Sequence, residues 1–205
     1  MKSSKNTFHQ KRRCFFISPV LFIFIFIPYY SIYAQEKNTE SQQLLKDIFK
    51  ELVEINTTSP EGNTTIASEA MAHRLAEAGF PKENIHILTP NPIKGNLVVR
   101  YKGNGKKNAI LLLAHLDVVK AKKEEWSFDP FKLTESNDYF YGRGTTDDKA
   151  MAAIFIANLI RYHKEDFKPD RDIIVCLTSD EENGGPNGIK WLLDKHRDII
   201  DAEFC

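Results

Sequence analysis

Apolar residues recur every three or four positions where the main body of the chain begins. This spacing predicts an amphipathic helix that starts near Ser41. The apolar positions of that helix are Leu44, Leu45, Ile48, Phe49, Leu52 and Val53. A second helix is predicted from about Thr65 to Ala78, because Gly79 is placed to cap its C-terminus and Pro81 prevents its continuation.

After Pro81 the pattern changes from helical to extended. Two later apolar runs are continuous, which is typical of strands buried on both faces. Strands are predicted at Ile85–Leu88, Asn96–Tyr101, 109–114 and 172–178, and further helices at 150–162 and 188–196. Helices and strands that alternate in this way predict an α/β fold, a layered sheet with helices on both faces.

The first 34 residues have the pattern of a targeting segment. Five basic residues and no acid are followed by an apolar run of about 13 residues, too short for the ~20 that a membrane span needs. We expect residues 1–34 to be a cleaved signal peptide and residues 35–205 to be exported, to the periplasm or the medium. An uncleaved N-terminal anchor is the alternative, and only that alternative would attach the chain to a membrane.

Composition narrows the class of protein further. The 28 basic and 28 acidic residues cancel over the whole chain, but residues 35–205 keep 23 bases against 28 acids. A mildly acidic body argues against a nucleic-acid partner, which would call for a basic surface. Three cysteines are too few for a disulfide framework.

Three polar segments follow the predicted buried strands. The first is His115-Leu-Asp117, where alternation places both side chains on one side if the strand continues. A metal-bound histidine usually donates its other ring N–H to a carboxylate, a role that Asp117 could fill. A pair of this kind is also common in the core or on the surface without any metal.

The second and third segments are rich in carboxylates. Asp147 and Asp148 follow Gly142-Arg-Gly144 at a predicted helix start, where acids can also serve simply as helix caps. Residues 180–182 are three consecutive acids that leave a buried strand, and a solvated turn would explain them equally well. Together, however, one histidine and several carboxylates at a single sheet edge form a ligand set for zinc or a similar divalent ion. The combination favours a metal-dependent hydrolase.

These motifs resemble those of the family-20 zinc metallopeptidases. That family includes aminoacylase, acetylornithine deacetylase, succinyl-diaminopimelate desuccinylase and glutamate carboxypeptidase. The resemblance rests on His115-x-Asp117, on Gly142-Arg-Gly-x-x-Asp147-Asp-Lys149 and on Asp180-Glu181-Glu182, and Trp126-Ser-Phe-Asp-Pro-Phe131 adds to it. It implies a zinc-peptidase-like catalytic domain that cleaves amide bonds in peptides, as a carboxypeptidase would, or in N-acyl amino acids.

The resemblance also implies a role for each residue of the motifs. Two zinc ions, replaceable by Co²⁺ or Mn²⁺, would share Asp147 as a bridging ligand, with His115 and Glu182 as further metal ligands. Glu181 and Asp117 would be the catalytic residues, Glu181 as general base and Asp117 as the residue that orients His115. The peptide bond after the bridging aspartate is often cis in this family, so a cis Asp147–Asp148 bond is expected.

Members of the family are about twice as long as this chain. The resemblance therefore implies that residues 35–205 are the N-terminal portion of a catalytic domain, truncated before a lid domain that could also mediate homodimer formation. A further acidic ligand and a distal histidine ligand would lie beyond Cys205. The alternative to an enzyme is an inactive fragment, or a degenerate module of the same fold that acts in binding or assembly.

Overall fold

The computed structural model describes residues 39–59 and 61–205. The predicted signal peptide at residues 1–34 lies outside these ranges. Within them, no helix combines the length and the apolar character needed to cross a membrane.

The described residues form five α-helices and six strands, in the predicted alternation. The helices are α1 (residues 39–54), α2 (Thr64–Glu77), α3 (Lys149–Lys164), α4 (Ile189–Lys195) and α5 (Arg197–Ile200). The strands are β1 (Ile85–Leu88), β2 (Asn96–Tyr101), β3 (Lys107–His115), β4 (Thr134–Ser136), β5 (Tyr139–Tyr141) and β6 (Arg171–Thr178).

The main sheet has the strand order β1-β2-β6-β3. Strands β3 and β6 are parallel, whereas β1 and β2 are antiparallel to their neighbours. His115 and Thr178 are register partners at the last positions of β3 and β6. The segments that follow these two strands therefore leave the sheet at the same edge. On the outer side of β3, Phe204 forms a parallel bridge to Ile110.

Both faces of the main sheet are buried, as the continuous apolar runs predict. Alternate strand residues such as Val99 and Val175 face a large core beneath α1, α2 and α3. Val98, Ile174 and Cys176 point to the opposite face and pack with Leu192 of α4 and Ile200 of α5. The arrangement confirms the predicted α/β fold with helices on both faces.

The hairpin formed by β4 and β5 was not expected from the sequence, which left this region as a loop. Its two-residue turn places Asn137 and Asp138 at φ values of 52° and 64°. Positive φ at both central residues is the requirement of a type I′ turn, and Asn and Asp tolerate it better than most residues. The Asn-Asp pair was therefore a usable hairpin signal, although three-residue strands are too short to show a clear alternation.

Candidate metal centre

Ligand atoms of three predicted site residues converge at the edge of the sheet. One nitrogen or oxygen atom from each of His115, Asp147 and Glu182 lies within 4.8 Å of the others. His115 is the last residue of β3, Asp147 precedes α3, and Glu182 lies in the loop that follows β6. The parallel pairing of β3 and β6 brings residues 67 positions apart in the sequence into one cluster.

His115 is held from both sides of its ring. Nδ1 lies 2.9 Å from the backbone oxygen of Asp117, and Nε2 lies 2.9 Å from Oδ1 of Asp147. A carbonyl oxygen can only accept a hydrogen bond, so Nδ1 carries a proton and Nε2 is the nitrogen available to a metal. Burial opposes protonation, but the hydrogen bonds to Asp147 and to the Asp117 carbonyl outweigh it and raise the pKa of His115.

The side chain of Asp147 is 72% exposed, although one of its carboxylate oxygens contacts His115. The peptide bond between Asp147 and Asp148 is cis, as the family resemblance predicted. Asp148 occupies the N-cap position of α3 without making a side-chain capping hydrogen bond. Helix capping therefore does not explain the acidic pair. Burial, together with the nearby negative charges, raises the pKa of Asp148.

The three consecutive acids after β6 have three different environments. Asp180 turns inward, where its carboxylate lies 2.7 Å from Lys94 Nζ and accepts a hydrogen bond of 2.5 Å from Asn187. Glu182 joins the ligand cluster, and burial followed by repulsion from Asp147 raises its pKa. Glu181 stays outside that cluster, although one of its carboxylate oxygens is 3.7 Å from His115 Nε2. A solvated turn does not account for this arrangement.

Asp117 lies behind the cluster and is completely buried. Its two carboxylate oxygens each accept a backbone hydrogen bond of 3.1 Å, one from Glu181 and one from Glu182. The carboxylate is 3.7 Å from His115 Nδ1, farther than the Asp117 backbone oxygen. The contact of Asp117 with His115 is thus made mainly by its backbone, which the sequence could not indicate.

Two buried lysines near the site were given no role by the sequence patterns. Lys149 donates hydrogen bonds of 2.7 and 2.8 Å to the backbone oxygens of Leu52 and Ile55, at the C-terminal end of α1. Burial lowers its pKa to about 7. Lys94 pairs with Asp180 as described above. The position of Lys149 directly after the acidic pair could have indicated a role for this lysine. Nothing in the sequence distinguished Lys94.

A cleft of about 410 Å³ opens beside the cluster. Its wall includes His115 and Glu181 together with the apolar side chains of Leu113 and Ile189. Three glycines of the loop after β6 also line it. A concave wall that combines apolar side chains with a few polar groups is the usual composition of a small-molecule site.

Comparison with known proteins agrees with this geometry. Residues 111–205 match the profile of peptidase family M20/M25/M40, and this segment contains every site residue predicted from the sequence. The chain belongs to that family. Within it, the chain is 32% identical over 171 residues to the N-fatty-acyl-amino acid synthase/hydrolase PM20D1 of Xenopus tropicalis. That alignment covers 80% of this chain and 33% of the relative.

A second curated relative is aminoacylase-1 of Sus scrofa, with 28% identity over 161 residues, covering 78% of this chain and 39% of the relative. The chain thus spans little more than a third of the length of these family members. Among solved structures, the M20 family metallo-carboxypeptidase Sso-CP2 of Sulfolobus solfataricus superimposes with a TM-score of 0.66 at 17% identity. That superposition covers 78% of this chain and 36% of the neighbour and shows a shared fold.

Proposed function

We propose that this chain carries the metal centre of an exported zinc-dependent hydrolase that cleaves amide bonds in N-acyl amino acids or peptides. The observation that carries the proposal is the convergence of His115, Asp147 and Glu182, with Glu181 beside them but outside the ligand set. A hydrolytic metal site needs both kinds of group, since one set of side chains holds the ion and another moves protons.

The donor atoms fit zinc. One imidazole nitrogen and two carboxylate oxygens are ligands that Zn²⁺ accepts readily, and Co²⁺ or Mn²⁺ could replace it with the same donors. Asp147 would be the residue to bridge two ions, because its exposed carboxylate has two oxygens and lies near both His115 and Glu182. His115 would offer Nε2 to the ion once that nitrogen gives up its proton, since the Asp117 carbonyl holds the other proton on Nδ1.

The reaction divides between the ion and the protein. Bound zinc would polarise the scissile carbonyl and lower the pKa of the attacking water. Glu181 takes the proton of that water and passes it to the nitrogen of the leaving amine. Its side chain is 61% exposed, which leaves the carboxylate room to turn between these two positions.

The substrate class is inferred from the relatives. PM20D1 is described as acting on N-fatty-acyl amino acids, and the second relative is an aminoacylase. Both descriptions indicate an amide that joins an acyl group to an amino acid, and a peptide bond is the same linkage with an aminoacyl group as the acyl part. Carboxypeptidase-like cleavage is therefore included in the proposal. Export rests on the basic and apolar pattern of residues 1–34.

Paired substitutions of the adjacent glutamates test the proposal. Glu181→Gln removes the base and leaves the ligands, so zinc binding should persist while hydrolysis falls by about 10²- to 10⁴-fold. Glu182→Gln removes a ligand, so zinc affinity should fall by more than about tenfold. Zinc content and affinity are measured by metal analysis and isothermal titration calorimetry, and hydrolysis with a panel of N-acyl amino acids and dipeptides.

The two variants serve as each other's control, because they make the same chemical change at neighbouring positions. Equal zinc affinity in wild type and Glu182→Gln would contradict the ligand assignment. Zinc binding without hydrolysis of any substrate in the panel, by a chain extended to the length of its relatives, would favour the non-catalytic binding module over the hydrolase.

A further inference from the structure

The carboxylate of Asp117 connects two parts of the site that are far apart in the sequence. It follows β3, yet both of its oxygens accept hydrogen bonds from the backbone of the loop after β6, at Glu181 and Glu182. We propose that Asp117 is a positioning residue that places the general base and a metal ligand through their backbone N–H groups, and not chiefly through His115. The roles of Glu181 and Glu182 rest on the proposed function.

Burial makes these two hydrogen bonds important. Asp117 is fully buried, and a buried carboxylate requires donors to replace the water it has lost. The groups that face it are the two backbone N–H groups at 3.1 Å and His115 Nδ1 at 3.7 Å. The distances show that the backbone groups are its hydrogen-bond partners, and hydrogen bonds to a charged acceptor are stronger than neutral ones.

His115 does not need this carboxylate to keep its orientation. Its Nδ1 already lies 2.9 Å from the backbone oxygen of Asp117, which every residue type at position 117 would supply. Substitution of the Asp117 side chain therefore changes the hydrogen bonds to residues 181 and 182 and keeps the backbone oxygen that contacts His115. Asparagine is the appropriate replacement, since it has the same shape but presents an NH₂ group to one of the two backbone N–H groups.

The start of the loop after β6 is also held in place by side-chain contacts. Asp180, which precedes the base, is fixed by Lys94 at 2.7 Å and by Asn187 at 2.5 Å. A Cβ atom added at Gly185 would lie 2.3 Å from the Asp180 carboxylate. With one side of the loop anchored in this way, the hydrogen bonds to Asp117 determine where residues 181 and 182 lie.

Nuclear magnetic resonance of the zinc-free chain tests the proposal directly. In Asp117→Asn, the backbone amide resonances of Glu181 and Glu182 should shift and their hydrogen exchange should accelerate, while His115 keeps its proton on Nδ1, held by the backbone oxygen of residue 117. Asp172→Asn is the matched control, because Asp172 also accepts a backbone hydrogen bond, from Gly103, at the opposite end of β6. The control should leave all three residues unchanged.

The opposite pattern overturns the proposal: unchanged amides at 181 and 182, with His115 no longer protonated at Nδ1, would show that the carboxylate acts through the imidazole. If Asp117→Asn does not fold, amide exchange in the wild-type chain decides instead. Exchange of both amides as slow as in the sheet supports the hydrogen bonds, and exchange at the rate of an unbonded loop contradicts them.

A second measurement examines the consequence for metal binding. Asp117→Asn should weaken zinc binding by about 10- to 100-fold, as the loss of groups that support metal ligands typically does, while Asp172→Asn should bind like wild type. Unchanged zinc affinity in Asp117→Asn would contradict the positioning role. Absence of zinc binding by the wild type would count against the proposed function, and the resonance measurements would still decide the role of Asp117.

Discussion

At the scale of single residues, the three consecutive acids of the site differ in their surroundings more than in their chemistry. Asp180, Glu181 and Glu182 follow one another directly, but each makes different contacts. The first is held by a buried ion pair with Lys94, the second remains exposed and the third joins the ligand cluster. Adjacent side chains can diverge in this way because Asp180 adopts φ = 62° and turns the chain sharply at the end of β6.

Lys149 supports the structure around the site, although it does not belong to the cluster of His115, Asp147 and Glu182. Its side chain is completely buried and reaches α1, where it satisfies two backbone oxygens near the end of the helix. Carbonyl groups at a helix C-terminus have no partner within the helix, so a lysine side chain is a suitable donor. The lysine therefore joins the start of α3, next to Asp147, to the end of α1.

Substitution of Lys149 should consequently reduce stability. In Lys149→Met the apolar stem is largely retained, but two buried carbonyl groups lose their donor, and the free energy of unfolding should fall by about 1–3 kcal/mol. Urea denaturation followed by circular dichroism measures the change. Lys50→Met, at an exposed position of α1, is the control and should stay within about 0.5 kcal/mol of wild type. Equal stability of the two variants would contradict this role for Lys149.

At the scale of secondary structure elements, the β4–β5 hairpin depends on its turn. Both central residues have positive φ, which a side chain with a Cβ atom normally disfavours. Thr134 pairs with Tyr141 and Ser136 with Tyr139, so each strand provides only three residues. A ladder this short adds little stability of its own, and the conformation of the turn has a correspondingly large effect.

Two substitutions at Asp138 should therefore have opposite effects. Asp138→Gly relieves the positive φ and should raise the free energy of unfolding by up to about 1 kcal/mol, whereas Asp138→Val should lower it by about 1–2 kcal/mol. Thermal and urea denaturation of the two variants measure the difference. If valine were tolerated as well as glycine, the turn would not have the conformation described.

At the scale of the whole molecule, the main sheet brings the residues of the candidate site together. The parallel pair of β3 and β6 ends at one edge, and α3 begins beside it.

The opposite face of the sheet is covered by α4 and α5, which bury Cys176 completely. Burial raises the pKa of the Cys176 thiol to about 12, and the nearby Cys205 adds to the effect.

Thiol labelling should show whether α4 and α5 cover this face of the sheet. A raised pKa keeps the Cys176 thiol protonated at pH 8, and its burial excludes the reagent, so alkylation requires unfolding. Iodoacetamide at pH 8 should label the exposed Cys205 rapidly and Cys176 only after denaturant is added. Peptide mass spectrometry resolves the two positions. Labelling of both at the same rate without denaturant would show that α4 and α5 do not cover the sheet.

Much of the architecture was predictable because it depends on local patterns. Apolar spacing predicted α1 and α2, and the continuous apolar runs predicted β3 and β6 within two residues of their ends. The hairpin was missed because its strands are shorter than the pattern needs. The position of His115 and of residues 180–182 at one edge of the sheet was also predictable, since polar residues at the ends of buried strands must lie there. Asp147 does not directly follow a buried strand, and its role as a ligand stays a prediction from the family resemblance.

The sequence by itself determined the fold class, the order of the elements and the residue types available to a metal. Only the tertiary structure decided how these residues are used. It made Asp180 an ion-pair partner of Lys94, turned the Asp117 carboxylate toward the backbone of residues 181 and 182, and directed Lys149 to the end of α1. Each contact joins segments more than 60 residues apart, and local spacing contains no information about which distant donor will reach a buried acceptor.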